Sequence, residues 1–308
     1  MRRRLMALAL AIAIAAPFSA AADHPLGNIP WPDLLPPRPG VPAPAQPAQP
    51  CGAAASPTCV DGVIADMIAA WQPLDDSCDH RAVFALTYLI TTQGFRTYLS
   101  DQRAGGFFDD EVAIINLDRV FADLYFDAFF GRAVPEAWRI AFTAAQDGRT
   151  NAVQDVFLGM NAHIQRDLPV ALSRVGLVDG NGASRKPDHN RVNEILSAVL
   201  DDIEDELAAR YDPTVGLADA SPSPVDEVGA LEMLKLWREG AWRNAERLSL
   251  AKSDAERASI MNEIETYATA WAHVIEAADF SWYATQRDLF CQSARTASIP
   301  PAHPTAAR

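Results

Sequence analysis

Apolar residues recur at three- and four-residue steps along almost the whole chain from Val60 onward, and this periodicity constrains the fold more than any other feature. Such spacing is typical of amphipathic helices, whereas strands alternate with a period of two, and the sequence shows neither alternating stretches nor an internal repeat. Glycine-rich turns and a Ser-Pro-Ser-Pro stretch at 221–224 separate the periodic segments. The pattern predicts an all-α fold, a single multi-helix bundle-like domain. The predicted helices are Val60–Trp71, Asp79–Leu99, Asp109–Phe130, Pro135–Gln146, Asn151–Ser173, Asp188–Tyr211, Pro224–Ala251 and Ser253–Phe290.

The first 22 residues have the three regions of a secretory signal peptide. Three arginines precede an apolar run from Leu5 to about Ala16, and small residues then lead to Ala22. The apolar run is too short to span a bilayer, and Pro17 with the Ala-x-Ala pattern favours cleavage over an uncleaved membrane anchor. We therefore expect a secreted, extracellular or cell-envelope protein whose mature chain has no transmembrane segment.

Residues 23–50 form a Pro/Ala-rich segment between the signal peptide and the first predicted helix. The segment carries about ten of the 22 prolines, and proline lacks the N–H group that helix interiors and central strands require. This composition predicts a semi-rigid, extended linker, with a disordered leader as the alternative. The helical domain is then expected at residues 51–295, followed by a disordered tail at residues 296–308.

The chain has four cysteines, at positions 51, 59, 78 and 291. An even number of cysteines in an exported chain indicates disulfide bonds, and four cysteines allow three pairings that spacing alone leaves open. Zinc binding is the competing interpretation, but no Cys-x-x-Cys pair or adjacent Cys/His cluster supports it. We favour a small Cys51–Cys59 loop and a Cys78–Cys291 bond that ties the first long helix to the last.

The chain is acidic, with 26 Lys and Arg against 40 Asp and Glu and a formal net charge of -14. Cleavage after Ala22 removes three arginines, which leaves 23 basic residues and a net charge of 23 minus 40, or -17. An acidic surface repels phosphate backbones and anionic lipid headgroups. Nucleic acid and anionic membrane surfaces are therefore not expected as partners, and a small-molecule or lipidic ligand is left open.

The stretch GMNAHIQRDLPVAL places polar residues on the inward face of the fifth predicted helix. His163 and Asp167 are four residues apart and project onto or beside the apolar stripe. Gln165 and Arg166 are expected to point away from it. Pro169 leaves the carbonyl of Gln165 without its usual donor and is expected to bend the helix. The apolar stripe comprises Val153, Val156, Phe157, Met160, Ile164, Leu168 and Ala171.

Polar residues also occupy the apolar stripes of other predicted helices. On the third helix Asp118 and Tyr125 lie among inward apolar residues, whereas Asp123 and Asp127 face outward. Arg238 lies on the buried side of the helix that follows the Ser-Pro-Ser-Pro stretch. A carboxylate and a guanidinium that are forced inward on different helices are expected to pair.

We expect His163, Asp167 and Asp118 to meet in one buried polar centre that opens to a cavity beside Pro169. An unpaired buried charge costs several kcal/mol, so these groups should converge, with Arg238 close enough to balance their charge. The alternative is that the carboxylates and Arg238 form purely structural pairs between helices.

Asn161, Tyr125 and His189 are the further residues expected to line this pocket and to contact a substrate or ligand. Asp188 stands where a helix N-cap belongs, and that is its expected role. His273 falls off the apolar stripe of the last predicted helix and is expected on the solvated surface.

The run GMNAHI at residues 159–164, with the Asp-Leu pair at 167–168, resembles the signature of an uncharacterised bacterial family. This is a domain-of-unknown-function family of the DUF5995 type, commonest in actinobacteria, and the resemblance covers roughly Arg81 to Leu248. It implies an all-helical fold and marks His163 and Asp167 as the characteristic residues of the family. It implies no activity, because none is established for the family.

The His-x-x-x-Asp pair is also similar to part of the ligand set of secreted helical zinc hydrolases of the phospholipase C and single-strand nuclease type. Those families need a further His soon after the Asp and a His-x-x-x-Glu pair, which this chain lacks, and it has six His in total. No cofactor is therefore evident, and a single divalent metal bound by His163 and Asp167 is left open.

Two functions from different classes are compatible with these features. The first is an extracellular hydrolase in which Asp167 orients His163 as a general base or metal ligand, with Asp118 in the same centre. The second is a non-enzymatic cell-envelope protein, or one that binds a small or lipidic ligand, whose buried polar cluster is structural. Convergence of the inward polar residues on a solvent-reachable cavity would discriminate between the two.

We predict export and cleavage near Ala22, because charged, apolar and small residues follow one another in the order that signal peptidase substrates require. N-terminal sequencing of the protein from culture supernatant or envelope fractions checks this. An exported protein that retains Met1 would contradict the prediction.

Overall fold

Helices make up the regular structure of the computed structural model, which describes residues 35–100, 106–215 and 225–296. Those ranges contain no strand, only one isolated β-bridge between Val178 and Ser184, so the predicted all-α fold is confirmed. The signal peptide, residues 23–34 of the linker, the turn at 221–224 and residues 297–308 lie outside the described residues.

Five of the predicted helices are found, namely the first four and the one after the Ser-Pro-Ser-Pro stretch. Their ends are shifted by up to about six residues, and helix ends are the least reliable part of a prediction from sequence. None of the helices in the described ranges is both long and apolar enough to cross a membrane. In chain order they are α1 (Pro57–Ser77), α2 (Ala82–Tyr98), α3 (Glu111–Phe129), α4 (Glu136–Gln146), α5 (Ala152–Met160), a π-helical segment (Asn161–Asp167), α6 (Leu168–Val175), α7 (Lys186–Ala198), α8 (Leu200–Arg210), α9 (Val225–Leu250), α10 (Asp254–Ile275) and α11 (Ser281–Thr296).

The other three predicted helices are divided in the structure. Asn151–Ser173 becomes α5, the π-helical segment and α6, and Asp188–Tyr211 is interrupted at Val199. Ser253–Phe290 is interrupted at residues 276–280, where the backbone N–H of Phe280 donates to the carbonyl of Arg149 at 2.8 Å. Residues 152–175 remain helical throughout, with a π-helical turn in the middle, whereas the prediction of one continuous helix was wrong for the other two segments. Apolar periodicity continues across those two breaks and therefore does not reveal them.

Asp188 does not cap its own helix, so the predicted N-cap role was wrong. It lies in the first turn of α7, and its carboxylate accepts the backbone N–H groups of Asp109 and Asp110, both at 2.8 Å. It thereby anchors the chain at the start of α3, where Asp110 is the N-cap and accepts from Ala113. Ser253 is the N-cap of α10, since its hydroxyl accepts the N–H of Glu256.

The π-helical segment lies at the centre of the packing. It contacts α3, α4, α9 and α10 as well as the helices that precede and follow it in the chain. The largest fully buried side chains come from several of the surrounding helices and include Trp138, Tyr125 and Trp242. Four polar residues of the segment, Asn161, His163, Gln165 and Asp167, are consequently buried, and burial favours those whose polar atoms find partners inside the protein.

Residues 35–50, the described part of the Pro/Ala-rich segment, lie against α6 and α9. The N–H of Ala48 donates to the carbonyl of Arg174 at 2.8 Å, and the N–H of Arg38 donates to the carboxylate of Glu246 at 2.8 Å. Arg243 in turn donates to the carbonyl of Pro36 at 3.0 Å. These bonds hold this segment on one face of the helical domain.

The two predicted disulfide bonds are present, and the described residues contain no free cysteine. Cys51–Cys59 closes a small loop at the start of α1. Cys78, which ends α1, is bonded to Cys291 in α11 across 213 residues of sequence. The predicted link between the first long helix and the last is therefore confirmed.

We predict that loss of Cys78–Cys291 destabilises the protein more than loss of Cys51–Cys59. Loop-closure entropy of the unfolded chain gives about 5 kcal/mol for a loop of this length and about 2.5 kcal/mol for the short loop. Urea unfolding of the double variants Cys78→Ala/Cys291→Ala and Cys51→Ala/Cys59→Ala measures the two losses. Equal losses, or a larger one for the short loop, would contradict the prediction.

Candidate functional site

The distortion expected at Pro169 takes the form of a π-helical turn immediately before it. The N–H of Leu168 donates to the carbonyl of His163, five residues back, instead of four. Pro169 has no N–H, so the α-helical bond to the carbonyl of Gln165 cannot form. A change of register before the proline is one way to accommodate this missing donor, and short π-helical turns are frequent at functional sites.

The π-helical register turns Gln165 inward, so the prediction that Gln165 points away was wrong. Gln165 is buried and donates its amide to the side-chain oxygen of Asn161 at 2.7 Å. Asn161 donates to the carbonyl of Ala268 on α10 at 2.8 Å. The wider turn rotates successive residues by less than the about 100° of an α-helix, so side chains in this segment lie at angular positions that a uniform α-helical rotation does not predict. Asn161 thus holds α10 in place and does not line the cavity described below.

Asp167 is fully buried and accepts hydrogen bonds from three side chains. Trp138 donates its indole N–H to Oδ2 at 2.8 Å, and Nδ1 of His163 lies 3.2 Å from the same oxygen. Arg166 donates to Oδ1 at 2.9 Å and also bonds Glu265 on α10 at 2.7 Å. The positive charge beside Asp167 therefore comes from its sequence neighbour, Arg166.

The carboxylate of Asp167 fixes the tautomer of His163. Because a carboxylate only accepts, Nδ1 of His163 carries the proton, and Nε2 presents its lone pair. Nε2 is buried and has no hydrogen-bond partner among the described residues. Burial lowers the pKa of His163, while the bond and the charge of Asp167 oppose this shift. The imidazole is therefore neutral at neutral pH and can accept a proton at Nε2.

Aromatic rings fix the position of the His163 imidazole. The ring stacks on Phe121 with centroids 3.4 Å apart and an interplanar angle of 6°, and Tyr88 meets it edge-on at 4.5 Å. Phe84 lies edge-on at 6.2 Å and presses against Gly159, where an added Cβ would come within 2.2 Å of the Phe84 ring. The glycine of the GMNAHI run thus permits a close approach of α2 to α5.

A cavity of about 150 Å³ lies beside His163, between α2, α3, α7 and α9. Most of its lining is apolar, and the hydroxyls of Thr87, Thr91 and Thr92 on α2 donate back to carbonyls of their own helix. These three residues leave no polar group in need of a partner. The polar side chains of the lining that remain are Tyr88, Asp118, His163, His189 and Arg238.

Tyr88, Asp118 and His163 all line this cavity, and each has a buried polar atom without a partner among the described residues. The Tyr88 hydroxyl, Oδ2 of Asp118 and Nε2 of His163 form no hydrogen bond within the described ranges. Burial raises the pKa of Asp118 to about 7, against the opposing charge of Arg119. The pKa of Tyr88 is raised well above its ordinary value, first by burial and then by the charges of Asp118 and Asp167. We call these three side chains the polar triplet.

Arg238 and His189 form a second polar group on the cavity wall. Arg238 donates through Nε to Asn193 at 2.7 Å and through Nη2 to the carbonyl of His189. Nε2 of His189 lies 3.1 Å from the carbonyl of Arg238, so this nitrogen carries the proton. Burial first, and then the charges of Arg238 and Lys186, lower the pKa of His189 well below its ordinary value. His189 is thus a neutral residue with a structural bond.

The structure brings the predicted site residues together only in part. His163 and Asp167 are bonded, and Asp118, His189 and Arg238 line the same cavity as His163. The expected pairing of Arg238 with a carboxylate was wrong, since its bonds in the described structure go to neutral groups. The burial of Arg238 was the basis for expecting a carboxylate partner, and burial alone did not predict its partners correctly.

Tyr125, which was predicted to contact a ligand, lies near His163. Tyr125 packs edge-on at 6.1 Å from the His163 ring but does not line the cavity. Across the described residues, no group of three or more His, Cys, Asp or Glu is placed to hold a metal ion. His273 is exposed as predicted, with Glu276 as its partner at 2.9 Å.

Sequence reasoning missed Tyr88, Trp138 and Arg166. Tyr88 lies on a helix that is apolar on every side, so no polar face marked the direction of its hydroxyl. Trp138 carries an indole N–H that needs an acceptor when buried, and this requirement was the available signal. Arg166 was assigned to the outer face by a purely α-helical rotation.

A family model described as "Family of unknown function (DUF5995)" matches residues 60–278. The chain belongs to this family. The matched range contains every side chain of the polar triplet together with Asp167 and Arg238. Comparison with curated proteins and with solved structures found no match.

We predict that Asp118→Asn removes a pH dependence of stability. The folded-state pKa of about 7 exceeds the unfolded value, so the folded protein binds the extra proton between about pH 4 and 7. The contribution of Asp118 to the free energy of unfolding of the wild type is therefore greatest below that pH range and falls as the pH rises through it. The free energy of unfolding of the variant is compared with that of the wild type at each pH. Between about pH 4 and about pH 8 this difference should shift in favour of the variant by up to about 4 kcal/mol.

Urea unfolding at about pH 4, 6 and 8 measures this effect. Asp123→Asn, at a partly exposed position on the same helix, is the matched control and should keep the pH dependence of the wild type. Parallel curves for the wild type and Asp118→Asn would contradict the prediction.

Proposed function

We propose that the protein binds a small, largely apolar molecule whose hydrogen-bonding group contacts the polar triplet. One observation carries this proposal: three side chains that line one apolar cavity each have a buried polar atom without a partner among the described residues. Buried polar atoms are almost always satisfied in folded proteins, so three exceptions in one place call for a ligand or ordered water. A mostly apolar pocket with a few convergent polar groups is the usual design of a small-molecule site.

The size of the cavity limits the molecule. About 150 Å³ suits a molecule of benzene size or a short alkyl chain rather than a full-length lipid. His163 Nε2 accepts a hydrogen bond, while the Tyr88 hydroxyl and a protonated Asp118 donate. A hydroxyl or carbonyl group at the end of an apolar body would satisfy these atoms.

Export to the cell exterior or envelope is part of this proposal. The order of charged, apolar and small residues at the N-terminus supports it, and two disulfide bonds are compatible with an oxidising compartment. The ligand would then be taken up outside the cytoplasm.

We predict that phenol binds the cavity more tightly than toluene, which has nearly the same shape but no hydroxyl. The hydroxyl should gain about 1 kcal/mol or more, about fivefold or more in Kd, from groups that are otherwise unsatisfied. Tyr88→Phe and His163→Ala should weaken phenol binding and leave toluene binding nearly unchanged. Isothermal titration calorimetry measures both ligands.

His273→Ala is the matched control, because His273 is an exposed histidine remote from the cavity lining. It should bind both molecules as the wild type does. The proposal fails if neither molecule binds, or if phenol shows no advantage over toluene in the wild type.

Hydrolysis is a second candidate, favoured by the Asp167 to His163 hydrogen bond. A carboxylate that orients an imidazole with a free Nε2 is the arrangement of a general base that activates water. Asp118 lines the same cavity, and its pKa of about 7 leaves much of it protonated near neutral pH, so it has a proton to donate to a leaving group.

Ester hydrolysis tests this candidate with p-nitrophenyl acetate, a small uncharged substrate. If the protein is a hydrolase, kcat should rise with pH through the lowered pKa of His163, and His163→Ala should reduce it by about 100-fold or more. Wild-type turnover no faster than that of His163→Ala would exclude this activity, while leaving the binding proposal to stand on its own test.

A further inference from the structure

Arg238 is a buried cation on the cavity wall whose hydrogen-bond partners are neutral. The residue is 6% exposed, and it bonds the side chain of Asn193 and the carbonyl of His189. The described structure gives it no ion pair with a carboxylate. A buried charge costs folding free energy unless it is paired. An anion from outside the chain, bound beside Arg238, would provide that pair.

The neighbouring acidic groups are engaged elsewhere. Glu239, next in sequence, pairs with Lys186 at 2.7 Å and with Arg243 on the same helix. Asp118 lines the same cavity, but the charge that lowers its pKa is that of Arg119, which lies on the outer side of α3. Burial lowers the pKa of Arg238 to about 9, so the guanidinium still carries its charge at neutral pH.

We propose that the ligand of this cavity is a small carboxylic acid whose carboxylate pairs with Arg238, whose apolar body lies along the apolar lining, and whose second hydrogen-bonding group contacts the polar triplet. This inference rests on the proposed binding function and names its ligand class. A planar guanidinium matches a carboxylate in shape and charge. A phosphate carries about 1.5 to 2 negative charges at neutral pH, more than one guanidinium balances.

The guanidinium is already desolvated and held in place before a ligand arrives. The carbonyl of His189 and the side chain of Asn193 fix its plane, and the His189 ring is packed 5.2 Å from that of Trp242. A carboxylate that reaches it therefore meets a preorganised partner. The rest of the lining, which is mostly apolar, would accommodate the hydrocarbon part.

Hexanoate and hexanamide are the probes, because they share the same number of heavy atoms and nearly the same shape and differ in charge. The wild type should bind hexanoate about tenfold or more tightly than hexanamide near pH 7. The protein has a net charge of -14, so its overall field repels hexanoate, and a preference for the anion reports a local cation.

Arg238→Gln should bring the ratio of the two affinities to about one or below, and Arg238→Lys should keep part of the preference because it keeps the charge. Arg247→Gln is the matched control. It makes the same change in net charge on the same helix, at a surface ion pair with Glu263, and should keep the wild-type ratio.

Isothermal titration calorimetry of the folded full chain measures all four proteins with both probes. Equal affinity of the wild type for the two probes, or an Arg238→Gln variant that retains the preference, overturns the inference. If hexanamide and phenol bind while hexanoate does not, the inference fails and the proposed binding function survives. If none of the three binds, the proposed function fails and the inference fails with it.

Discussion

The buried carboxylate of Asp167 is the interaction on which the middle of the structure depends. It joins the indole of Trp138 on α4 and the imidazole of His163, and through Arg166 it reaches Glu265 on α10. Removal of one partner of such a cluster leaves charged or polar groups buried without partners, which is why clusters of this kind are strongly cooperative. The same carboxylate determines which imidazole nitrogen carries the proton and which keeps a free lone pair, so Asp167 contributes to the packing and also sets the hydrogen-bonding properties of His163.

The π-helical register is what allows a single short stretch to supply that cluster. Side chains four residues apart are neighbours there, as in an α-helix, and the wider turn places two such pairs on different faces: His163 bonds Asp167, and Gln165 bonds Asn161. The first pair faces the aromatic residues and the cavity, and the second faces α10. Pro169, which cannot donate to the carbonyl of Gln165, makes the ordinary register unavailable at this point.

Properties that depend on local spacing could be predicted from the sequence. Helical periodicity gave the fold class, and the positions of Cys78 and Cys291 in the first and last long helices suggested their bond. Properties that depend on a partner from another element could not be predicted from the sequence. The inward turn of Gln165, the neutral surroundings of Arg238 and the unsatisfied hydroxyl of Tyr88 each follow from a helix register or a neighbour that one-dimensional periodicity does not encode.

The threonines of α2 give the cavity wall a property that the residue composition does not reveal. Their hydroxyls donate to the carbonyls of Val83, Thr87 and Tyr88 at 2.8 to 3.0 Å. Threonine in a helix populates two χ1 rotamers, and rotation between them moves one of the two groups, hydroxyl or methyl, into the position that the other had occupied. The polarity of this wall is thus a conformational variable: side-chain rotation alone, with the backbone of α2 unmoved, changes how many hydrogen-bonding groups face the enclosed space.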